Sequence, residues 1–534
     1  MAVASCGMAG MRPDKQTALD WISASSQRLS DFHSTIWAHA ETAWREYRSS
    51  AAYVALLESE GFGVETGSGD MPTAFVASWG DGKPTVASYA EYDAVPGNSQ
   101  QAVPRRAPRD GTHPWAPGHT DPHSALGVGA LAGILAAKAS MEQHNISGTL
   151  KLFGEPAEKV CGSKPIHAAK GYYDDLDAVI SYHPWFSNTT VWDTHCGSYW
   201  SCIFTFECDG SGDWVDSALL AFPGRPHAVP RSPGALDAVS LMYTLTKHTK
   251  ENMYPHTSSW VMNEFVMVGG QATADNLAPR LGQIQYAWRS PTLGIQEQLF
   301  RVLANNARQA AAATNCRVYT RWVSKTRVGL PNHAMATATF RNLELGGPPV
   351  FPEEARAFAR EIQAVEGIDP MVDPFTERCQ TLTLPEDEEA AVREGLPPWQ
   401  RNFTSDDYVE YTWHAPTARL HTGKPVMRNP GDWAHWGNNA LNGFPPAIDQ
   451  TWISAARTIA GTILDLMTDG GLLEAAKEEF RERTGGGVGG ANWIAPLLAR
   501  DFIPPVDLPW PEYIDTVRGR EWHLPTPVTW GDET

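Results

Sequence analysis

The chain has 534 residues, which is long for one domain and predicts two or three domains with ample length for a buried core. Its 61 acidic and 42 basic residues give a net charge of −19, which disfavours nucleic acid and anionic membranes as partners. Seven cysteines without a paired spacing predict neither a disulfide framework nor a CxxC zinc motif, so we expect a reducing, cytoplasmic location. The opening segment lacks a basic leader, and no run is expected to reach the ~18 apolar residues of a membrane helix.

The N-terminal part of the chain predicts helices followed by two strands. Apolar residues recur at helical spacing within 14–61, and the glycines of EGFGVETGSG end that pattern. The segments 73–80 and 84–93 are predicted strands, and the second is a mostly apolar run of the kind buried in a sheet. It finishes on a Glu-Tyr-Asp sequence that ends at Asp93. A long loop then leads to residue 117, and its length is typical of a functional segment.

The stretch from Gly118 to His183 holds most of the candidate chemistry. It contains GHTDPHS at 118–124, a helix of small residues, GEPAEK at 154–159 and a strand that ends at His183. The glycines and alanines keep the helix thin, which predicts close packing against a sheet. Polar residues stand at the ends of the strands, where open α/β sheets bind ligands.

After His183 the pattern predicts a self-contained unit of antiparallel strands and helices. Strands and helices alternate as βαββα through residue 314, over roughly 115 residues, as expected for an inserted domain. The next segment, 315–325, reads as a strand returning to the first domain. We therefore expect an α/β catalytic domain built from 1–197 and 315–534, with a C-terminal wrapping tail, and an inserted domain at 198–314.

Five polar residues could form a catalytic or metal-binding site together, although each alone could have a purely structural role. Asp121 and His123 lie two residues apart around a proline, and His183 ends a strand. Glu158 follows a buried strand, and His435 lies between tryptophans in a predicted Gly/Asn-rich loop at 431–443. Such Asp, His and Glu side chains form the ligand set of zinc or manganese, with a carboxylate base beside it.

These motifs and their order resemble the M20 family of metal-dependent amidohydrolases, in particular the branch of aminobenzoyl-glutamate and auxin-conjugate hydrolases. The likeness runs from about residue 20 to about residue 475. The motifs that carry it are AEYDAVPG (90–97), GHTDPHS (118–124), GEPAEK (154–159), GYYDDLDAVISYHP (171–184), GALDAV (234–239) and NLAP (276–279). The resemblance implies a mixed central sheet flanked by helices, an inserted α+β lid domain through which the chain forms a homodimer, and hydrolysis of small N-acyl or N-aroyl amino acids.

The resemblance also assigns roles to individual residues. The metal ligands it implies are Asp121, His123, His183 and His435, where Asp121 stands in place of a cysteine of this branch. The general base falls on Glu158, and Asp93 matches an acid that supports the site. In the lid, Asn276 and Arg289 match residues that bind a substrate carboxylate, and His227 matches the histidine that stabilises the oxyanion.

One position departs from the family pattern. The family has two consecutive glutamates, base then ligand, where this chain has Glu158 and Lys159. A protonated lysine cannot coordinate a metal. In one outcome the ammonium replaces one metal and pairs with Asp121, and Asp121, His123 and His183 hold a single catalytic ion. In the other, pairing with Lys159 consumes Asp121, no metal binds, and Glu158 and Lys159 act as a coupled proton pair.

Three functions follow from these alternatives. The first is an amidohydrolase acting on a small aromatic amide with one zinc or manganese ion at most. The second is a repurposed enzyme of the same fold without metal, using Glu158 and Lys159 for an isomerisation, cyclisation or condensation in specialised metabolism. The third is a non-catalytic binding or structural subunit, which the retained polar residues disfavour. In each case the expected ligand is a small molecule.

Overall fold

The structure is a computed structural model that describes residues 11–209, 232–253, 260–270, 277–432, 435–508, 512–523 and 532–533. The helices are α1 Pro13–His39, α2 Tyr47–Ser59, α3 His123–His144, α4 Ser163–Ala169, α5 Ala235–Met253, α6 Leu293–Thr314, α7 His333–Gly346, α8 Glu353–Val365, α9 Pro385–Glu394, α10 Trp436–Asn442, α11 Pro445–Thr468 and α12 Gly470–Thr484. The strands are β1 Gly63–Thr66, β2 Phe75–Asp81, β3 Thr85–Ala90, β4 Gly148–Gly154, β5 Ala178–Trp185, β6 Thr189–Thr190, β7 Ser198–Glu207, β8 Val261–Val268, β9 Leu281–Ser290, β10 Arg317–Lys325, β11 Thr417–Gly423, β12 Glu512–Thr516, β13 Gly519–His523 and β14 Asp532–Glu533.

Among the residues that the structure describes, the larger sheet is mixed and has seven strands in the order β1-β2-β4-β3-β5-β11-β6. Its four central strands β4, β3, β5 and β11 run parallel, whereas β1, β2 and β6 pair antiparallel at the two edges. Every residue of β3 is buried, as expected for a parallel strand covered by helices on both faces. The prediction of a mixed sheet flanked by helices is therefore confirmed.

Helix α3 packs against this sheet at glycine positions that admit no side chain. A Cβ at Gly129 would lie 2.8 Å from the ring of Tyr182 in β5, and one at Gly127 would collide with the hydroxyl of Tyr53 in α2. The prediction of a thin helix lying close to a sheet is thus met by specific contacts. Because α3 begins at His123, this packing also fixes the position of that imidazole.

Helix α3 also corrects one expectation from the sequence. Within the described ranges it is one helix long and apolar enough, by length and composition, to cross a membrane. However, 89% of its most apolar window is buried inside the protein. A core helix passes the same test, and burial accounts for its apolar composition.

The second unit, in its described part, is a five-stranded sheet in the order β14-β10-β7-β9-β8, with α5 and α6 packed on it. All of its pairings are antiparallel. Strand β10 pairs with β7 from Arg317 to Lys325, so it belongs to this sheet. The prediction that 315–325 returns to the first domain is wrong, because an alternating strand pattern does not say which sheet the strand joins.

Two further segments differ from the sequence predictions. The Gly/Asn-rich segment at 431–443, predicted as a loop, contains the short helix α10. The tail after residue 484, predicted to be irregular, includes the hairpin β12–β13, and β14 extends the second sheet beside β10. The long loop at 94–117 has neither helix nor strand, and one bridge between Val95 and Gly118 closes it.

Candidate functional site

The predicted polar residues meet at the carboxyl ends of the parallel strands. Asp93 follows β3, Glu158 follows β4, and His183 lies near the end of β5. Asp121 stands just before α3. The turn after β4 passes through Ala157, whose positive φ of 58° is held by a hydrogen bond of 2.8 Å from its N–H to the buried carboxylate of Glu46. This turn directs Glu158 and Lys159 towards the other polar side chains.

The Lys159 side chain joins two carboxylates. Its Nζ lies 2.7 Å from Asp121 Oδ2 and 2.8 Å from Glu158 Oε2. Its backbone N–H donates to Asp93 Oδ2 at 2.8 Å. The ammonium is therefore turned inward, as both alternatives drawn from the sequence require, and it neutralises part of an acidic cluster.

The charges of these three groups stabilise one another. Burial disfavours the charged form of Asp121, but attraction by the Lys159 ammonium, together with smaller contributions from His183 and His123, outweighs it and lowers the pKa of Asp121 far below its usual value. The pKa of Glu158 is lowered in the same way, since Lys159 and His123 outweigh burial. In turn, Asp121 and Glu158 overcome the burial of Lys159 and raise its pKa well above the usual value. All three groups are charged at neutral pH.

Each imidazole is anchored through its Nδ1 atom. His123 Nδ1 lies 2.7 Å from Asp93 Oδ1, and His183 Nδ1 lies 2.7 Å from the carbonyl oxygen of Pro184. These contacts leave both Nε2 atoms to face Asp121, at 3.7 Å from Oδ2 for His123 and 3.9 Å from Oδ1 for His183. A carboxylate or carbonyl behind Nδ1 usually accompanies a histidine that binds metal through Nε2.

The two imidazoles have opposite protonation preferences. Burial lowers the pKa of His183 to about 4, so this ring is neutral and offers a lone pair. For His123, burial and Lys159 favour the neutral ring, but the carboxylates of Asp93 and Glu91 outweigh them and raise its pKa well above the usual value. Either a proton or a metal cation at His123 Nε2 therefore satisfies the surrounding negative charge.

The residues fit one metal ion on the basis of unpartnered buried atoms. His123 Nε2 and Glu91 Oε2 are buried and meet no hydrogen-bond criterion among the described residues, although Nε2 lies 3.4 Å from Glu91 Oε2 and 3.3 Å from Glu158 Oε2. Ligand atoms of Glu91, His123 and His183 all lie within 4.8 Å of one another. Buried polar atoms are normally satisfied, so this cluster is suited to a cation. Asp121 contributes a further oxygen beside both imidazoles.

A cavity of about 420 Å³ opens beside this cluster. Its polar lining includes Asp121, Glu158, Lys159, His183, Arg289, Asp406 and Arg419. Its apolar and aromatic lining includes Trp185, Val191, Trp192, Val392, Phe403 and Tyr408. A mostly apolar wall with a few convergent charged groups is typical of a small-molecule site.

The comparisons with known proteins agree with this geometry. The family described as "Peptidase family M20/M25/M40" matches residues 87–397. The chain belongs to the M20 peptidase family. A p-aminobenzoyl-glutamate hydrolase component of Escherichia coli (strain K12) is 28% identical over 486 residues, which cover 87% of this chain and 94% of that protein. The Xaa-Arg dipeptidase of Mus musculus is 25% identical, over 57% of this chain and 64% of that protein.

A solved structure supports the M20 fold. A protein of methicillin-resistant Staphylococcus aureus described as an aminohydrolase superposes with a TM-score of 0.50 at 14% identity, covering 84% of this chain and 98% of that one. Membership of the M20 family makes the chain a hydrolase of the peptidase and amidohydrolase type. The family is metal-dependent, and the cluster around His123 is the matching candidate site.

The structure brings together most of the predicted site residues but not His435. The Nε2 atom of His435 lies 3.5 Å from Glu366, and its Nδ1 accepts from the N–H of Gly437, so it caps α10. His435 lines a different cavity, with Trp115 and other residues outside the cluster. The expectation that it joins the other ligands is not met, because the imidazole instead caps the N-terminus of α10 and faces Glu366. His227 and Asn276 lie outside the described residues.

Arg289, which the resemblance matches to a residue that binds a substrate carboxylate, lines the cavity. It comes from β9, with its guanidinium 5.2 Å above the ring of Tyr199. Its Nε donates to the hydroxyl of Ser405 at 2.8 Å. Within the described ranges it forms no ion pair with a carboxylate, so its remaining N–H groups are available to an anionic ligand.

Sequence reasoning missed a buried ionic network behind the cluster. Lys164 Nζ lies 2.7 Å from Glu91 and 2.6 Å from Asp407, and all three side chains are fully buried. Burial raises the pKa of Glu91 to about 7, although Lys164 opposes that shift. The signal for Glu91 was its position in the same strand end as Asp93. Lys164 lies in α4 and Asp407 far along the chain, and no local pattern linked them.

Proposed function

We propose that this M20 enzyme hydrolyses the amide bond of a small N-aroyl amino acid with a single bound metal ion. The observation that supports this most strongly is the position of Lys159. Its ammonium lies between Asp121 and Glu158, where the family pattern has a second metal ligand. A second cation beside it would be repelled. The cluster of Asp121, His123 and His183 keeps enough ligands for one ion.

The chain's own residues supply the other catalytic functions. A bound ion in this cluster would polarise the scissile carbonyl and make a water molecule more acidic. Glu158, kept ionised by its neighbours, accepts the proton of the attacking water and delivers it to the leaving nitrogen. The Lys159 ammonium lies beside Glu158 and provides positive charge for the oxyanion that forms on the carbonyl oxygen.

The shape and charge of the cavity support an aromatic carboxylate as the substrate. Trp185, Trp192 and Phe403 provide an apolar wall that suits an aromatic acyl group. Arg289 suits a substrate carboxylate, which a guanidinium binds through two parallel hydrogen bonds. The E. coli relative carries p-aminobenzoyl-glutamate in its name, and that molecule joins an aromatic acyl group to an amino acid.

A second candidate function rests on the environment of His123. Its raised pKa means that an imidazolium can take the charge that a metal would otherwise supply. The pocket would then work without metal, and the Glu158 and Lys159 pair would transfer protons in an isomerisation, cyclisation or condensation. We rank this second, because the neutral His183 beside Asp121 is better suited to a cation than to proton transfer.

Metal analysis separates the two candidates. We expect protein purified without added metal to carry close to one zinc or manganese ion per chain, and chelation to abolish cleavage of N-benzoyl amino acids. The metal-free candidate instead predicts well under one ion per chain and activity that resists chelation.

A matched pair of histidine variants sharpens this test. His123→Gln should lose the ion and the activity, because it removes an anchored ligand. His435→Gln should retain both, because His435 lines a different cavity. Equal loss of metal in the two variants would contradict the proposed ligand set.

Two further proposals concern the state of the protein in the cell. A homodimer through the second unit is supported by the exposed apolar residues of β8, where Phe265 is 53% and Val266 is 54% exposed. Sedimentation at two concentrations would test it. A cytoplasmic location stays a prediction. It is supported by the free state of the six cysteines that lie within the described ranges.

A further inference from the structure

A second cavity shares Lys159 and Arg289 with the first. It has a volume of about 250 Å³ and lies between the loop after β3 and the strands β7, β8 and β9 of the second unit. Lys159 and Arg289 line both this cavity and the one of 420 Å³. The two cavities therefore meet at a pair of cationic side chains.

The wall of the second cavity is mainly apolar. It includes Val95 and Pro96 from the catalytic domain and Tyr199, Phe265 and Ala287 from the second unit. Sites for whole drug-sized ligands usually measure about 300–1,000 Å³, so this cavity suits one part of a ligand. A molecule held at the shared cations can extend one part into each cavity.

One buried polar side chain in this wall has an unused hydrogen-bonding atom. Gln285 is 1% exposed, and its Nε2 donates to the hydroxyl of Ser201 at 2.8 Å. Its Oε1 is buried and has no hydrogen-bond partner among the described residues. Leaving a buried acceptor unpaired is costly, and a ligand N–H or O–H would satisfy it. The nearby Lys159 and Arg289 disfavour an ammonium, so the matching donor is neutral.

We infer that the substrate is an N-aroyl amino acid whose side chain ends in a neutral amide or hydroxyl, as in glutamine or serine. The aromatic group occupies the larger cavity, the carboxylate pairs with Arg289, and the side chain enters the smaller cavity and donates to Gln285. This inference rests on the proposed hydrolysis and narrows it to a substrate class.

Strand β9 offers a matched control for Gln285. Gln283 lies two residues earlier on the same strand and is also 1% exposed. Its Nε2 donates to Thr205, and its Oε1 likewise has no partner among the described residues. Gln283 lines neither of the two cavities. The variants Gln285→Leu and Gln283→Leu thus make the same chemical change inside and outside the proposed subsite.

The test compares the binding of N-benzoyl-glutamine and N-benzoyl-glycine by calorimetry, with turnover measured separately. In Gln285→Leu we expect the affinity for N-benzoyl-glutamine to fall about tenfold, as for the loss of one neutral hydrogen bond. Binding of N-benzoyl-glycine, which has no side chain, should not change. Gln283→Leu should leave both affinities at the wild-type value.

A second variant tests the cavity without removing a polar group. Ala287→Leu should fill the subsite, so that N-benzoyl-glutamine binds at least about tenfold more weakly while N-benzoyl-glycine is unaffected. Equal losses for both ligands, or no loss in either variant, would overturn the inference, as would a wild-type protein that binds neither. If the ligands bind but no amide is cleaved, the proposed hydrolysis is contradicted. The calorimetric comparison still shows whether the ligand side chain binds in the smaller cavity at Gln285.

Discussion

Replacing Lys159 with glutamate restores the family pattern and should create a second metal site. The change removes an ammonium that contacts Asp121 at 2.7 Å and Glu158 at 2.8 Å, and it adds a carboxylate in its place. At an effective dielectric of about 20, each contact at that distance corresponds to about 6 kcal/mol of Coulomb attraction, most of which offsets desolvation.

The net cost of leaving the two carboxylates unpaired is smaller than the Coulomb attraction. Removing one partner of a fully buried pair typically costs about 3–5 kcal/mol. The Lys159 and Asp121 side chains are 24% and 20% exposed, so we expect Lys159→Glu to lose up to about that much stability without metal. A metal that binds only the folded variant, at a free concentration 100 times its dissociation constant, would raise the free energy of unfolding by about 2.7 kcal/mol. The variant should therefore be destabilised without metal and largely recovered with zinc or manganese.

The assay is urea unfolding with and without added metal, together with metal analysis after dialysis. Lys159→Met is the matched control, because it removes the same ammonium without adding a ligand. We expect Lys159→Glu to bind one ion more than the wild type and Lys159→Met to bind no more. The reasoning is refuted if metal stabilises both variants equally.

Three further predictions follow from the site and its surroundings. Glu158→Gln should reduce kcat by about 10²–10⁴-fold, as for the loss of a general base, while calorimetry shows unchanged substrate binding. Arg289→Met should raise KM for carboxylate-bearing amides by about tenfold or more and leave neutral amides unaffected. Burial lowers the pKa values of His33 and His195 to about 3. The unfolded chain therefore binds more protons between about pH 6.5 and 3, and each histidine should cost about 1.4 kcal/mol of stability per pH unit as the pH falls through that window. Urea unfolding at several pH values would check this, and His33→Gln should show a shallower dependence.

Much of the site was readable from sequence because its residues follow buried strands directly. Asp93 follows β3 and His183 lies near the end of β5, and both strands have continuous apolar patterns. Parallel strands bring their carboxyl ends to one edge of the sheet. Both alternatives for Lys159 pair its ammonium with Asp121, and the structure has that contact. The sequence alone does not establish the Lys159–Asp121 contact, because a lysine side chain at a turn can equally well extend into solvent.

The predictions that the structure contradicts rest on local patterns that are compatible with more than one three-dimensional arrangement. His435 stands between tryptophans in a Gly/Asn-rich segment, which suggested a functional loop, but the segment forms α10 and the imidazole caps it. Strand β10 joins the second sheet and not the first, because the alternation of apolar residues indicates which face of a strand is buried and not which strand lies beside it. Lys164 and Asp407, which lie 243 residues apart, are joined only by the fold.

The contact between Gly129 and Tyr182 sets how far apart the two imidazoles stand. His123 opens the helix that carries Gly129, and His183 directly follows Tyr182 in β5. A single methyl group at residue 129 would meet the tyrosine ring at 2.8 Å and force helix and strand apart. Enlarging this one residue would therefore alter metal affinity without touching any ligand. Specificity, by contrast, can be redesigned on β9 without moving either imidazole.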